Sequence, residues 1–598
     1  MSTTVDRDRD FNSDPQPFRF PSRRSVVHST DGIVACTQPL AAKCGLDVLR
    51  AGGNAADAAV AVAAGLNMTE PCSTGIGGDM FILFWDASTR QVQAMNGSGR
   101  AGHRCTLDAV RKGLATPDHD ARSPAEIPLT SAHAVTVPGA AAGWIDAVER
   151  FGSGNVDMRR ILAPAIELGE KGFPVSDIAA HAWQASEPCL RAASPNFAEM
   201  LKRDPHAEDG VRAPRAGEVM KNPTLARTFR TLAEQGKRGF YTGRIAEELV
   251  RAVQARGGLL KMEDLEHHLR LGSEAVEPIS LPFQGQGLAD DGLRLWEHPP
   301  SGQGLVALMA LGIIQQLEKQ GRIPTFRPDD FNSAPYLHAV VEALKLAFSD
   351  GRWFIADPSV RPVPVTDLLS EKYLAERAGL FDPTRAADEG PRHGDPALSS
   401  SDTVYLSVAD AHGNAASFIN SNYDGFGTGI IPRDCGFTLQ NRGACFSLDD
   451  GHPNRIEPRK RPYHTIIPGM VTKLRDGSLH SAFGVMGGFM QPQGHVQVLL
   501  GQVVGRLDPQ QALDAPRACI TFDGPGGAGW TVDIEDGMDR DAIRGLEKLG
   551  HRVRVVSGAA RALFGRGQII RRVVDAVDGT AVWSAGSDMR GDGAAYPL

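Results

Sequence analysis

The chain lacks any C-x-x-C pair, which excludes the usual zinc ribbon and the dithiol redox site. Its eight cysteines, Cys36, Cys44, Cys72, Cys105, Cys189, Cys435, Cys445 and Cys519, are widely scattered. That scatter suits reduced, buried thiols and predicts a cytoplasmic setting. There is no excess of positive charge: 63 Lys+Arg stand against 71 Asp+Glu, a net charge of -8. A nucleic-acid partner is therefore not expected, because phosphate binding needs clustered cations. No apolar run is long enough for a bilayer: the longest, Ala55–Leu66, contains Asp57 and falls short of the ~20 residues a span needs. No membrane partner is expected. Met1–Pro17 is polar and has no apolar core for a secretory signal. Arg23-Arg24 is followed by His28-Ser-Thr-Asp-Gly32, where a twin-arginine signal requires apolar residues. Aromatics are scarce at 6%, while glycines number 66, so tight turns and close approaches replace bulky cores.

What is present reads as a soluble globular chain. Its 598 residues correspond to about three to four domain-sized units. Residues 1–30 read as a disordered or loosely attached lead. Pro39–Ala51 has helical spacing and stops at Gly52-Gly53. Asn54 caps a second helix, Ala55–Met68, whose small residues on every side imply burial all round. Thr74-Gly-Ile-Gly-Gly-Asp79 is a glycine-rich turn before the strand Met80–Trp85. It lacks the Lys-Ser/Thr of a phosphate loop and the G-x-G-x-x-G pattern. The stretch from about 110 to 380 reads as helix-rich scaffold, clearest at Tyr336–Arg352. Asp382–Asp402 is rich in Pro, Gly, Ser and charge and reads as an exposed linker. Directly after it, Thr403–Ala409 and Ala415–Ser421 alternate as two strands around the turn Asp410–Asn414. A hairpin that starts at the end of a soft linker suits a linker that is cut. His267-His268 reads as solvated, and His338, His464 and His495 as isolated core or loop residues, so no metal and no cofactor are expected.

Many short stretches carry a resemblance in their order and spacing. They include Gly52-Gly-Asn-Ala-Ala-Asp-Ala-Ala59, Glu70-Pro-Cys72, Gly75-Ile-Gly-Gly78, Val137-Pro-Gly139 with Gly143, and Leu162-Ala-Pro-Ala165. Phe240-Tyr241, Gly257-Gly258 with Glu263-Asp264-Leu265, Pro299-Pro-Ser-Gly302, Glu342-Ala-Leu-Lys-Leu-Ala347 and Asp357-Pro358 continue the series. Asp402-Thr403, Gly413-Asn414, Gly425-Phe-Gly-Thr-Gly429, Lys460-Arg-Pro462 and Gly487-Gly488 complete it. Over almost its whole length the chain resembles the γ-glutamyltransferase (glutathione hydrolase) family of N-terminal-nucleophile hydrolases. The resemblance implies an α+β fold, a four-layer αββα sandwich with helix-rich additions to the large subunit. It implies self-cleavage between Asp402 and Thr403, giving a large subunit (residues 31–402 after the lead) and a small one (403–598). The cut halves are expected to stay associated, and a homodimer of such heterodimers is left open.

The chemistry follows from that cut. A threonine hydroxyl is a weak nucleophile and needs a base. Cleavage frees the α-amine of Thr403, and an α-amine with a pKa of ~8 can take the hydroxyl proton. Gly487-Gly488, after the strand-like Ser481–Met486, aligns with the family's oxyanion hole, where bare backbone N–H groups stabilise a tetrahedral oxyanion. Ser421 aligns with a hydroxyl near the nucleophile.

The family pattern is broken around the donor pocket. The acidic position that holds the donor's α-ammonium aligns with Cys445, and the neighbouring amide with Arg442, which favours a carboxylate. The paired serines that hold the α-carboxylate align with His464 and Thr465, and a family asparagine with Tyr423. Arg100 stands near, but out of register with, the family's carboxylate-binding arginine. Arg100 and Arg442 are thus candidate anchors for a substrate carboxylate. These departures resemble a side branch with oxamate amidohydrolase-like and glutaryl or cephalosporin acylase-like members. The expected activity is hydrolysis or transfer of a small carboxylate-bearing amide through an acyl-enzyme, with γ-glutamyl chemistry on glutathione as the family default. A catalytically silent binding homologue is the remote alternative.

Overall fold

The computed structural model describes residues 24–115, 126–288, 291–387, 403–523 and 529–598. Most of the expected lead, the end of the expected linker, and Asp402 lie outside the described residues.

Two seven-stranded sheets, antiparallel throughout, are stacked face to face. The nucleophile sheet runs Ala594–Pro597, Ile33–Cys36, Val404–Ala409, Ala415–Ser421, Asp79–Asp86, Gln91–Gly97 and Glu274–Val276. The facing sheet runs Val27–Ser29, Ala581–Ser587, Arg566–Val574, Leu479–Met486, Gly469–Lys473, Leu293–Glu297 and Ile279–Phe283. Helices Pro39–Arg50, Ala55–Thr69 and Ala140–Phe151 cover the outer side of the first. Helices Gly304–Lys319 and Met490–Val503 cover the second, with Ala334–Phe354 packed on Gly304–Lys319. The result is a four-layer αββα sandwich.

This layering explains the strand Val404–Ala409, which is buried on both faces. Val404, Leu406 and Val408 join the core under the helices. Tyr405 and Ala409 point into the layer between the sheets. The Tyr405 hydroxyl bonds Ser407 and Ser417, both at 2.7 Å, which satisfies a phenol that would otherwise cost a few kcal/mol to bury. Its ring lies flat on Gly484 of the facing strand, where a Cβ would approach the ring to 2.5 Å. Alanine at 484 would have to displace the hairpin that carries the nucleophile candidate.

The helix Ala55–Thr69 is buried over its whole length, as its small residues imply. Asn54 caps it: its side chain accepts from the Ala56 and Asp57 amides, and Asp57 accepts from the Asn54 amide at 3.0 Å. A reciprocal cap of this kind stabilises by about 1 kcal/mol.

The scaffold expected over 110–380 is helix-rich, but it also contributes three core strands: Glu274–Val276, Ile279–Phe283 and Leu293–Glu297. All three lie at or next to sheet edges. Their short, polar-interrupted sequences, with Pro282 inside one, are tolerated there because an edge strand keeps one side free of ladder bonds. That edge character is what masked them.

Candidate active site

The hairpin register builds the site. Val404 pairs with Asn420, so Thr403, one step earlier, meets Ser421. Their hydroxyl oxygens are 2.9 Å apart, and Thr403 is fully buried. Ser421 Oγ also accepts the Tyr423 amide at 2.8 Å and Arg442 Nη2 at 3.3 Å. Tyr423 holds a left-handed backbone (φ 80°), a strained setting for a side chain of that size. Its ring lies 4.4 Å from the Arg442 guanidinium. Arg442 Nη1 donates to Thr465 Oγ1 at 2.6 Å. Arg442 is fully buried, and among the described residues its Nε has no partner.

From Thr465 the chain of contacts reaches the glycine pair. Gln303 Nε2 donates to the Thr465 carbonyl at 2.7 Å and to the Gly488 carbonyl at 2.8 Å. Tyr463 donates to Gln303 Oε1 at 3.0 Å. Gly487 (φ 125°) and Gly488 (φ 57°) adopt positive φ, which only glycine takes without strain. Their carbonyls are tied back to the start of the helix Met490–Val503. Their N–H groups find no backbone acceptor among the described residues. Such a turn can offer N–H donors to a developing oxyanion.

Cys445 lies beside Tyr423 and Arg442, and burial raises its thiol, so it carries no negative charge at neutral pH. His464 donates through Nε2 to Asp79 Oδ2 at 3.1 Å. Burial, then Arg442 and Arg461, holds His464 well below the ordinary imidazole range, so it is neutral.

The structure therefore brings together Thr403, Ser421, Tyr423, Arg442, Cys445, His464 and Thr465, with Gly487-Gly488 joined through Gln303. Arg100 belongs to a neighbouring cluster. It ion-pairs with Glu274, and Arg461 Nη1 reaches the same carboxylate at 2.9 Å. Asp402 lies outside the described residues. Two residues of the site escape the sequence reading. Gln303 directly follows Pro299-Pro-Ser-Gly302. Asp79 ends the glycine-rich turn and is fully buried.

One histidine reading needs correction, and two core histidines have partners that the sequence does not announce. His268 is buried rather than solvated, and burial with nearby Arg100 and Arg461 pushes it down to about 3. His495 donates to Glu297 at 2.6 Å. His338 meets His551 at 2.7 Å and the Asp382 carbonyl at 2.8 Å. His338, Glu342 and His551 could in principle hold a cation. However, Lys345 Nζ already donates to Glu342 at 2.8 Å, and an added cation would sit beside that ammonium.

A hydroxyl nucleophile candidate, a hydroxyl partner, a buried guanidinium and a glycine turn whose N–H groups meet no backbone acceptor among the described residues form a constellation for acyl transfer. The profile described as "Gamma-glutamyltranspeptidase" matches residues 41–598. The "Glutathione hydrolase-like YwrD proenzyme" of Bacillus subtilis is 34% identical over 96% of this chain and 100% of its own length. The "Oxamate amidohydrolase proenzyme" of Klebsiella pneumoniae is 32% identical over 95% of this chain and 98% of its own. A solved cephalosporin acylase from Bacillus halodurans superposes with a TM-score of 0.83 at 40% identity, covering 98% of this chain and 99% of that one. With the αββα layers and the strand-initial Thr403 they leave one assignment: the chain belongs to the γ-glutamyltranspeptidase family, amide-bond hydrolases of the N-terminal-nucleophile fold.

Proposed function

We propose that the chain is a proenzyme that cuts itself between Asp402 and Thr403 and then hydrolyses or transfers small carboxylate-bearing amides. Thr403 Oγ attacks the Asp402 carbonyl carbon, the peptide C–N bond breaks, and the acyl group moves to oxygen as an ester. Water hydrolyses that ester, leaving the Asp402 carboxylate and a free Thr403 α-amine. In turnover the amine takes the hydroxyl proton as Oγ attacks the substrate amide, and that proton passes to the leaving amine. The N–H groups of Gly487 and Gly488 stabilise the oxyanion. Water or a second amine then releases the acyl group.

The observation that carries this reading is the Thr403–Ser421–Arg442–Thr465 hydrogen-bond chain at the start of a doubly buried strand. On substrate class, the buried Arg442 beside a neutral Cys445 favours an acyl group that presents a carboxylate, as in oxamate or glutaryl amides, over the α-ammonium of a γ-glutamyl donor. The Klebsiella relative's own name, an oxamate amidohydrolase, points the same way.

The large (1–402) and small (403–598) subunits stay together in this reading. In support, both sheets interleave strands from either side of the junction. Pairing of two such heterodimers belongs to the proposal, as does a cytoplasmic location, which the eight free thiols support.

Denaturing electrophoresis with N-terminal sequencing tests it: two fragments are expected, the smaller beginning T-V-Y-L. Thr403→Ala is expected to stay full-length and to lose at least ~1,000-fold of amide turnover. An intact, active wild-type chain would refute the mechanism. Faster turnover of γ-glutamyl-p-nitroanilide than of oxamate and glutaryl amides would refute the substrate class alone.

A further inference from the structure

Asp79 is a fully buried carboxylate next to the site that the mechanism above leaves unused. It opens the strand Asp79–Asp86 and stands in register opposite Ser421, the hydroxyl partner of Thr403. Its Oδ1 accepts the amides of Gly99 at 2.9 Å and Gly139 at 3.1 Å, and Gln440 Nε2 at 3.0 Å. Its Oδ2 accepts His464 Nε2 at 3.1 Å. With four donors the carboxylate is fixed in place and cannot swing towards another partner. Arg442, in turn, spends its hydrogen bonds on two hydroxyls, Ser421 and Thr465, and among the described residues it bonds no carboxylate. A buried guanidinium without a bonded anion still needs charge compensation, and Asp79 lies within its electrostatic reach.

We propose that Asp79 is the resident counter-charge of Arg442 and thereby sets how strongly the pocket holds an anionic acyl group. The inference rests on the reading of Arg442 as the substrate's carboxylate anchor. A substrate carboxylate at Arg442 brings a second anion into the field of one guanidinium. Ionised Asp79 opposes it through space, and a neutral residue at 79 does not. Asp79 is a positioning and specificity residue, since it acts through Arg442 and touches no reacting atom.

The surroundings let this be read against pH. The titratable groups in reach of Asp79 are Arg442, His464 with Arg461 beside it, His268 and Tyr241. Arginines stay charged across the working range. His464 is held well below the ordinary range and His268 at about 3, and burial raises Tyr241 well above its ordinary value. Burial pushes Asp79 up to about 6, against the lowering effect of Arg442. Between pH 5 and 8, Asp79 is the side chain of this set that changes charge; the Thr403 α-amine beside Ser421, with a pKa of ~8, also begins to lose its proton there, and its titration persists in Asp79→Asn, which separates the two.

The test uses the processed protein with glutaryl-p-nitroanilide and its uncharged counterpart butyryl-p-nitroanilide. For the wild type, KM for the glutaryl amide is expected to rise ~3- to 10-fold from pH 5 to pH 7.5, while KM for the butyryl amide stays level. Asp79→Asn keeps an oxygen for the three N–H donors, and its NH2 can face His464 Nε2 in the other tautomer, which gives up only the long Ile466 amide contact to Nδ1 at 3.4 Å. In this variant the glutaryl KM is expected to fall by the same factor at pH 7.5 and to lose its rise from pH 5 to pH 7.5, with kcat within about twofold of wild type. Because this variant could misfold, glutarate binding to the wild type is measured by calorimetry at pH 7 in two buffers of different ionisation enthalpy. Net proton uptake is expected. No proton uptake overturns the inference, as does an Asp79→Asn ratio of glutaryl to butyryl KM equal to wild type while Arg442→Gln raises it. An Arg442→Gln ratio equal to wild type, or no glutaryl turnover, instead sinks the anchor reading and the inference with it.

Discussion

Among the described residues, the histidine–carboxylate pairs His495–Glu297 and His464–Asp79 have both side chains without any exposure, and they are wired differently. His495, on the helix Met490–Val503, donates to Glu297 at the end of a facing-sheet strand at 2.6 Å. The outer atoms of this pair, His495 Nε2 and Glu297 Oε2, meet no partner among the described residues, and the ring packs against Phe483 at 4.9 Å. His464 and Asp79 are 3.1 Å apart, but Asp79 takes three further N–H donors and lies in the field of Arg442. The first pair is a clamp between helix and sheet, closed on itself. The second is one link in a network that ends at the nucleophile candidate. The same two residue types thus do different jobs, and what separates them is where their remaining lone pairs and protons go.

Removing one partner of the closed clamp gives the largest effect. Glu297→Ala strands the His495 donor in an apolar layer, and breaking a buried pair costs roughly 3–5 kcal/mol. Thermal unfolding is expected to show a large fall in Tm, with kcat/KM per folded molecule close to wild type. Selective loss of turnover in folded Glu297→Ala would break the contrast, for it would couple this clamp to the Gly487–Gly488 turn at the same helix's start.

The open pair predicts the reverse balance. In His464→Ala the Asp79 carboxylate loses its Oδ2 donor but keeps the three on Oδ1, so the loss of stability is the smaller one. Without that donor the ionised carboxylate is disfavoured, so KM for the anionic amide at pH 7.5 is expected to fall several-fold, towards the Asp79→Asn value, with kcat close to wild type. Steady-state kinetics alongside thermal unfolding reads both axes. A variant that loses stability as Glu297→Ala does, with kinetics intact, would make the two pairs equivalent.

Much of this was legible in the sequence, for identifiable reasons. The hairpin Val404–Ala409 and Ala415–Ser421, the capped helix from Ala55 and the helix Ala334–Phe354 announce themselves by strong local pattern. Once the hairpin register is fixed, Thr403 must meet Ser421. The family resemblance groups Arg442, Tyr423, Cys445, His464 and Thr465 around one pocket, and the fold gathers them; their roles towards substrate belong to the proposal. Long-range partnership was not readable. Nothing local in Glu274 says that it will take Arg100, and nothing in His268 says that it will be buried against Tyr241, 5.1 Å between ring centroids. Asp79 was hidden by its company, because a glycine-rich turn draws attention to the backbone and away from the carboxylate that ends it. The edge strand Ile279–Phe283, interrupted by Pro282, and its neighbour Leu293–Glu297 are too short to stand out from the helices around them.

The smallest expected effect is on stability against pH, and it separates the pairs from another direction. Burial raises Asp79 to about 6, above the ~3.9 of an unfolded aspartate. The folded state therefore binds the proton more tightly than the unfolded one. The contribution of this group to stability is fully present below about pH 4 and is lost as pH rises through about 6. Asp588 has the opposite sign: Arg517 and Arg590 hold it down to about 2, so its contribution is present above the unfolded value and is lost as pH falls towards 2. Asp79→Asn removes the first dependence and leaves the second. The Tm of this variant, compared with wild type, is expected to gain ~1–3 °C between pH 4.5 and pH 7, on the order of 1–2 kcal/mol. A difference that stays flat over that interval would mean that Asp79 stays ionised throughout, its four donors outweighing its burial, and the open pair would then carry its charge at every working pH.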